Sequence, residues 1–282
     1  MQRYKILHRT YYNFTGLVSL GPHSLRLRPR EDHELRIEFS TLNITPPATL
    51  LWHRDVEGNS VATATFDLQV NQLIIESETI IQQFNEQPLD FLLADYAINY
   101  PFAYLPDDKI MLSPYMAIME HSTRNLLTGW IANIWQPGEQ IQTYSLLQRI
   151  ATYIHQTLSY QIREEPGVQT PKQTLSYGTG SCRDFAMLFM EAARCLGFAS
   201  RFVSGYLHVP QTTDFGATHA WAEVYLPGAG WKGFDPTIGK IVGTDHIAVA
   251  VARLPESVPP VAGSFVGPPA SSLNVGVWVS KY

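Results

Sequence analysis

The chain has little cysteine, few charges and no long apolar run, and each shortage removes a class of protein. Only two cysteines, Cys182 and Cys195, occur in 282 residues. Both fall in one predicted helix, where a rise of about 1.5 Å per residue sets them roughly 20 Å apart, too far for a disulfide. A disulfide-stapled scaffold is therefore excluded, and two unpaired thiols fit a reducing compartment. No stretch approaches the roughly 20 apolar residues of a spanning helix, and the opening Met1-Gln2-Arg3-Tyr4-Lys5-Ile6-Leu7-His8 lacks the apolar stretch of a signal peptide. The expectation is a cytoplasmic protein with no membrane partner. Charged residues make up only 16% and the formal net charge is −5, with an isoelectric point near 6.0. Without a basic surplus, nucleic acid is not an expected partner. Also missing are C-x-x-C, H-E-x-x-H, G-x-S-x-G and the phosphate-binding and dinucleotide fingerprints. No second histidine lies close to His219 in the sequence, so zinc is a poor bet, and no cofactor is expected.

What is present is ordinary globular material, 45% hydrophobic, in a chain long enough for two domains. Residues 1–85 read as a β-rich N-terminal domain. Ile6, Thr10, Tyr12 and Phe14 share one parity, Leu25 and Leu27 alternate with arginines, and Leu35, Ile37 and Phe39 alternate with Glu34, Arg36 and Glu38. Phe66, Leu68 and Val70 continue the pattern after a turn at Glu57-Gly58-Asn59-Ser60. Such strands predict a small antiparallel sandwich. Residues 86–139, broken by Pro88, Pro101, Pro106, Pro114 and Pro137, form a connecting segment with one or two short helices.

A core follows over 140–267. Leu147, Ile150, Ala151, Ile154 and Leu158 recur at helical spacing, and a loop at Glu164-Glu165-Pro166-Gly167 ends that helix. The next, amphipathic, helix is capped by Ser181 with Asp184 and closed by Gly197. Strands over 201–209, 219–226 and 231–235 come next, the last two joined by Pro227-Gly228-Ala229-Gly230. Helix first and sheet afterwards is an α+β arrangement. Val258 to Pro269 reads as an extended arm, and residues 268–282 as an extension with a closing strand.

The chemistry-bearing residues lie in that core. Cys182 follows the glycine turn Gly178-Thr179-Gly180-Ser181 at a helix start, where unpaired backbone N–H groups and the helix dipole favour a thiolate. A lone cysteine is more often a small buried residue. Here the small residues before it leave room for a substrate backbone. His219 opens a strand and can serve as general base, then general acid. Asp235 ends the next strand, and an antiparallel hairpin carries it to the His219 end, where a carboxylate can fix the imidazole tautomer. Asp184 is better explained as a helix cap. Tyr177 and Tyr206 are candidates to border the site, though packing explains them equally well, and Trp221 is as readily a core or inter-domain tryptophan as a wall of the cleft.

These residues stand in two blocks, Gly178 to Leu207 around Cys182-Arg183-Asp184-Phe185 and His219 to Thr237 around His219-Ala220-Trp221 and Phe234-Asp235-Pro236-Thr237. In both, the chain resembles the bacterial transglutaminase-like superfamily, proteins often described as candidate cysteine proteases. The resemblance extends to a β-rich front domain. It implies an α+β fold, an N-terminal antiparallel β-sandwich-like domain followed by a papain-like core with helices packed on an antiparallel sheet, and a catalytic Cys182-His219-Asp235 triad. The expected activity is cysteine-dependent acyl transfer, hydrolysing a peptide or amide bond of a peptide, protein or other amide-bearing substrate through a thioester. Transfer of a glutamine acyl group to an amine is one alternative, and a non-catalytic binding or assembly module with the arm filling the cleft is another. Animal transglutaminases carry an oxyanion-assisting tryptophan upstream of the cysteine. At that distance this chain has Leu146, and calcium sites are not evident.

Overall fold

Side chains that alternate in and out along residues 2–20 make a single long strand, because one face can bury Tyr4, Ile6, His8 and Thr10 while the other meets solvent. A computed structural model describes residues 1–119, 123–163, 165–210, 218–268 and 270–282, so Glu164 of the predicted loop and Pro269 of the predicted arm lie outside it. The front strands are β1 (Gln2–Leu20), β2 (His23–Leu25), β3 (Leu35–Thr45), β4 (Thr49–Arg54), β5 (Ser60–Thr65) and β6 (Gln69–Gln83). Then come helices α1 (Pro106–Met116), α2 (Arg124–Ile131), α3 (Thr143–Thr157), α4 (Pro171–Tyr177) and α5 (Cys182–Cys195). Strands β7 (Ser200–Leu207), β8 (His219–Leu226), β9 (Gly230–Asp235), β10 (His246–Ala252) and β11 (Ser271–Lys281) complete the main elements.

The fold is α+β. In the front half, β1 pairs with β6 on one side and β11 on the other, and β3 flanks β6, all antiparallel. A second sheet holds β2, β5 and β4. Phe14, Val18, Leu25, Leu73 and Ile75 pack between the two sheets, as a sandwich requires. Two local expectations change. Phe66, Leu68 and Val70 straddle the break between β5 and β6, because there the chain crosses from one sheet to the other. The alternation of Leu25 and Leu27 outlasts β2, and beyond it the backbone finds other partners: Arg26 N–H donates to Pro260 and Arg30 N–H to Ala248.

The second half is a five-stranded antiparallel sheet in the order 240–241, β9, β8, β7, β10. Helix α5 packs on it through Phe185, Leu188, Phe189 and Ala192, with α3 alongside. The helix is amphipathic as expected, yet every residue from Asp184 to Arg194 is buried, so its polar side is covered as well. Its polar members are satisfied internally: Arg194 pairs with Glu191 at 2.8 Å and donates to the carbonyls of Tyr115, Ser200 and Arg253.

The two halves interlock. Tyr4, Ile6, Leu35 and Ile81 share a core with Tyr206, Ile247 and Val249. Buried Asn59 donates to the Val251 carbonyl and accepts from its N–H, satisfying the outer edge of β10. After Pro260 the chain returns to the front half, where Val261 pairs with Leu25, Phe265 with Leu20, and β11 with β1.

Candidate active site

Cys182 is placed by a short parallel bridge and a cap. Thr179 and Gly180 pair with Ser159 and Tyr160. A Cβ on Gly180 would stand 3.0 Å from the Asp184 Cβ, so glycine is what lets this bridge approach the helix closely. Asp184 accepts from the Ser181 N–H and hydroxyl, from the Gln169 N–H, and from Arg163, all near 2.8 Å. Burial alone would raise its proton affinity, and these donors reverse that and hold it below the usual carboxylate range. Asp184 is thus fully used as the cap, which leaves Cys182 as the first helical residue.

His219 is the first residue of β8, and the tight return through Gly228 and Gly230, both at positive φ, brings β9 back so that Asp235 ends beside it. His219 Nε2 lies 2.6 Å from Asp235 Oδ2, and Asp235 Oδ1 accepts the Thr237 N–H at 2.9 Å. With Nε2 occupied, the other ring nitrogen remains for Cys182, which faces the same cleft and raises the proton affinity of the ring. Burial is the largest single influence on His219 and favours the neutral ring. The bonds to Asp235 and Cys182, with their charges, together outweigh it and raise the imidazole to about 10. Asp235 is fully buried, which would push its carboxyl up, but two histidine donors hold it well below the usual range. Burial pushes the Tyr160 phenol up, with help from the charges of Cys182 and Asp235, and Tyr160 lines the same cleft as the thiol. The structure therefore brings Cys182, His219 and Asp235 together.

The second histidine donor is His246, whose Nε2 lies 3.1 Å from the same Asp235 Oδ2. Sequence distance hid it: it comes from β10, across β7 from β8. His219, Asp235 and His246 offer ligand-type atoms within 4.8 Å of one another. The two imidazoles nevertheless aim at a shared oxygen, and His246 Nδ1 already accepts the Gly243 N–H at 3.2 Å. As they stand, these atoms form a hydrogen-bond chain centred on the Asp235 carboxylate.

Cys182 and His219 open onto a cleft of about 470 Å³ walled by Ile162, Val168, Phe202, Leu207, Val209 and Val258. Of the three aromatic candidates, none borders it. Tyr177 is exposed on α4, Tyr206 is buried between the two halves and bonded to His8, and Trp221 is buried against the two histidines. Pro259 and Pro260 of the arm, with Pro255 just before it, form one wall.

Residues 136–236 match the transglutaminase-like superfamily and residues 4–82 the bacterial transglutaminase-like N-terminal region. An uncharacterized protein of Mycobacterium leprae is 26% identical over the whole of this chain and 99% of its own length. One from Mycobacterium bovis is 27% identical over 93% of this chain and 87% of its own. The crystal structure of a proposed cysteine protease from Cytophaga hutchinsonii superposes with a TM-score of 0.75 at 18% identity, covering 99% of this chain and 90% of that one. The solved structure shares the fold, and the two matched regions, which together span more than half of the chain, show that it belongs to the transglutaminase-like superfamily and carries the bacterial transglutaminase-like N-terminal region.

Proposed function

We propose that this protein is a cysteine-dependent amidase or peptidase. The observation that carries this reading is the place of His219, bonded at 2.6 Å to the buried Asp235 carboxylate and opening with Cys182 onto one cleft; that setting raises its imidazole to about 10. A ring that keeps its proton at neutral pH beside a thiol favours a thiolate–imidazolium pair. In the reaction the Cys182 Sγ attacks the amide carbonyl, and the N–H of Cys182 at the helix start donates to the oxyanion. As the C–N bond breaks, the His219 proton passes to the leaving amine, leaving a thioester. His219 then takes a proton from water as the hydroxide adds to the thioester carbonyl, the acid departs, and that proton restores the imidazolium–thiolate pair. Asp235 keeps the ring oriented throughout.

The substrate class follows from the cleft. Its aliphatic and aromatic walls suit an apolar side chain next to the reacting amide. The arm forms a wall and then leaves to pair with β2, so it does not act as a plug. The cysteine-protease description of the Cytophaga hutchinsonii protein agrees with this reading.

The test is a panel of fluorogenic peptide amides with Leu, Phe, Asp or Lys at the acyl position, with and without a primary amine. Turnover of the apolar members to free acid, lost in Cys182→Ala, is expected. Incorporation of the amine into the product would replace hydrolysis with transfer. Turnover unchanged in Cys182→Ala would remove the cysteine from the reaction.

A further inference from the structure

We infer that His246 is a positioning residue for the proposed reaction, the fourth member of a Cys182–His219–Asp235–His246 chain; this rests on the reading of Cys182 and His219 as an ion pair. His246 lies beyond the residues 136–236 that match the superfamily core, on a strand separated from β8 by β7.

The hydrogen bonds define its role. The Gly243 N–H donates to His246 Nδ1, so in the neutral ring Nε2 carries the hydrogen and donates to Asp235 Oδ2. His246 also receives support from its own turn, its backbone N–H donating to the Gly243 carbonyl. Asp235 is then held by three donors: Thr237 N–H on Oδ1, and His246 and His219 on Oδ2. A carboxylate with only the Thr237 bond could rotate about χ2. The His246 donor fixes which oxygen faces His219 and in which plane, and Asp235 in turn orients the ring against Cys182.

The packing leads to the same conclusion. Gly205 of β7 has no side chain, and a Cβ there would come within 2.6 Å of the Trp221 ring and 2.3 Å of the Ile247 carbonyl. Trp221 therefore reaches across β7 at this gap. Its ring lies 5.2 Å from that of His246, edge-on at 80°, and 6.1 Å from that of His219. The two imidazoles are themselves 6.1 Å apart. One fully buried indole thus packs against both histidine donors of Asp235.

The experiment compares iodoacetamide labelling of Cys182 across pH in the full-length wild type, His246→Gln, His246→Asn and His219→Ala, with Cys195 as internal reference. Glutamine can place an N–H where Nε2 stands, whereas asparagine reaches only the Nδ1 position. The expected result is near-wild-type labelling in His246→Gln. In His246→Asn it should fall about tenfold or more near neutral pH, with a profile displaced toward that of His219→Ala. A purely structural role would damage Gln and Asn alike. Rates and profiles within twofold of wild type in both variants overturn the positioning role while His219→Ala still loses its labelling. Wild-type labelling of Cys182 no faster than Cys195 overturns the ion-pair reading, and with it this inference.

Discussion

At the scale of single residues, the account turns on one imidazole between two partners. A histidine raised from 6.5 to about 10 stabilises the fold fully below its unfolded value, and that contribution is lost as pH rises toward 10. Asp235, held low, contributes above the ordinary carboxylate value of 3.8 and is lost as pH falls through its lowered one. Denaturant unfolding should therefore show wild-type stability declining between pH 6.5 and 10 more steeply than that of His219→Gln. Parallel curves over that window would mean that His219 carries no such charge. Cys182, His219 and Asp235 were legible because each stands at an element boundary marked by its neighbours: a glycine turn, a strand start and a hairpin. His246 was not, since its link to Asp235 depends on strand order, which no local pattern encodes. Trp221, readable either as a cleft wall or as a core tryptophan, is core, and no local pattern shows that the gap at Gly205 draws the indole across a neighbouring strand.

At the scale of elements, β7 to β10 act as a frame whose spacing depends on Gly205. Substitution Gly205→Ala puts a methyl against backbone at Ile247 and against the Trp221 ring. A loss of about 1–3 kcal/mol in urea unfolding is expected, with tryptophan fluorescence shifted as the indole moves. An unchanged midpoint and spectrum would show that the sheet yields there at no cost. Helix α5 shows how far sequence reading reached. Its start, cap and inward stripe of Phe185, Leu188, Phe189 and Ala192 were readable, yet its burial on all sides was not. Glu191 and Arg194 look like a solvent face until their mutual pair and the carbonyls of Tyr115, Ser200 and Arg253 are seen.

At the scale of the whole molecule, the front half is part of the frame behind the site. Asn59 meets both backbone groups of Val251 on the edge of β10, the strand that begins with His246. Tyr4 donates to Asp245, the residue before it. Asn59→Ala should lower stability by about 1–3 kcal/mol, read by denaturant unfolding, because both edge groups lose their partner inside the interface. A change below 0.5 kcal/mol would mean that the Asn59 bonds contribute little to holding the halves together. The alternating strands of the front half were legible, but their attachment was not, since pairing of residues 4–14 with 271–281 joins opposite ends of the chain. In the proposed reaction this frame serves to hold the Cys182 thiol against the His219 ring. The most direct measurement is iodoacetamide labelling of Cys182 near neutral pH, read by mass spectrometry against Cys195, whose thiol burial pushes up to about 11. The account predicts that Cys182 labels far faster than Cys195 and loses that advantage in His219→Ala. Equal labelling of the two thiols, with or without His219, would contradict it.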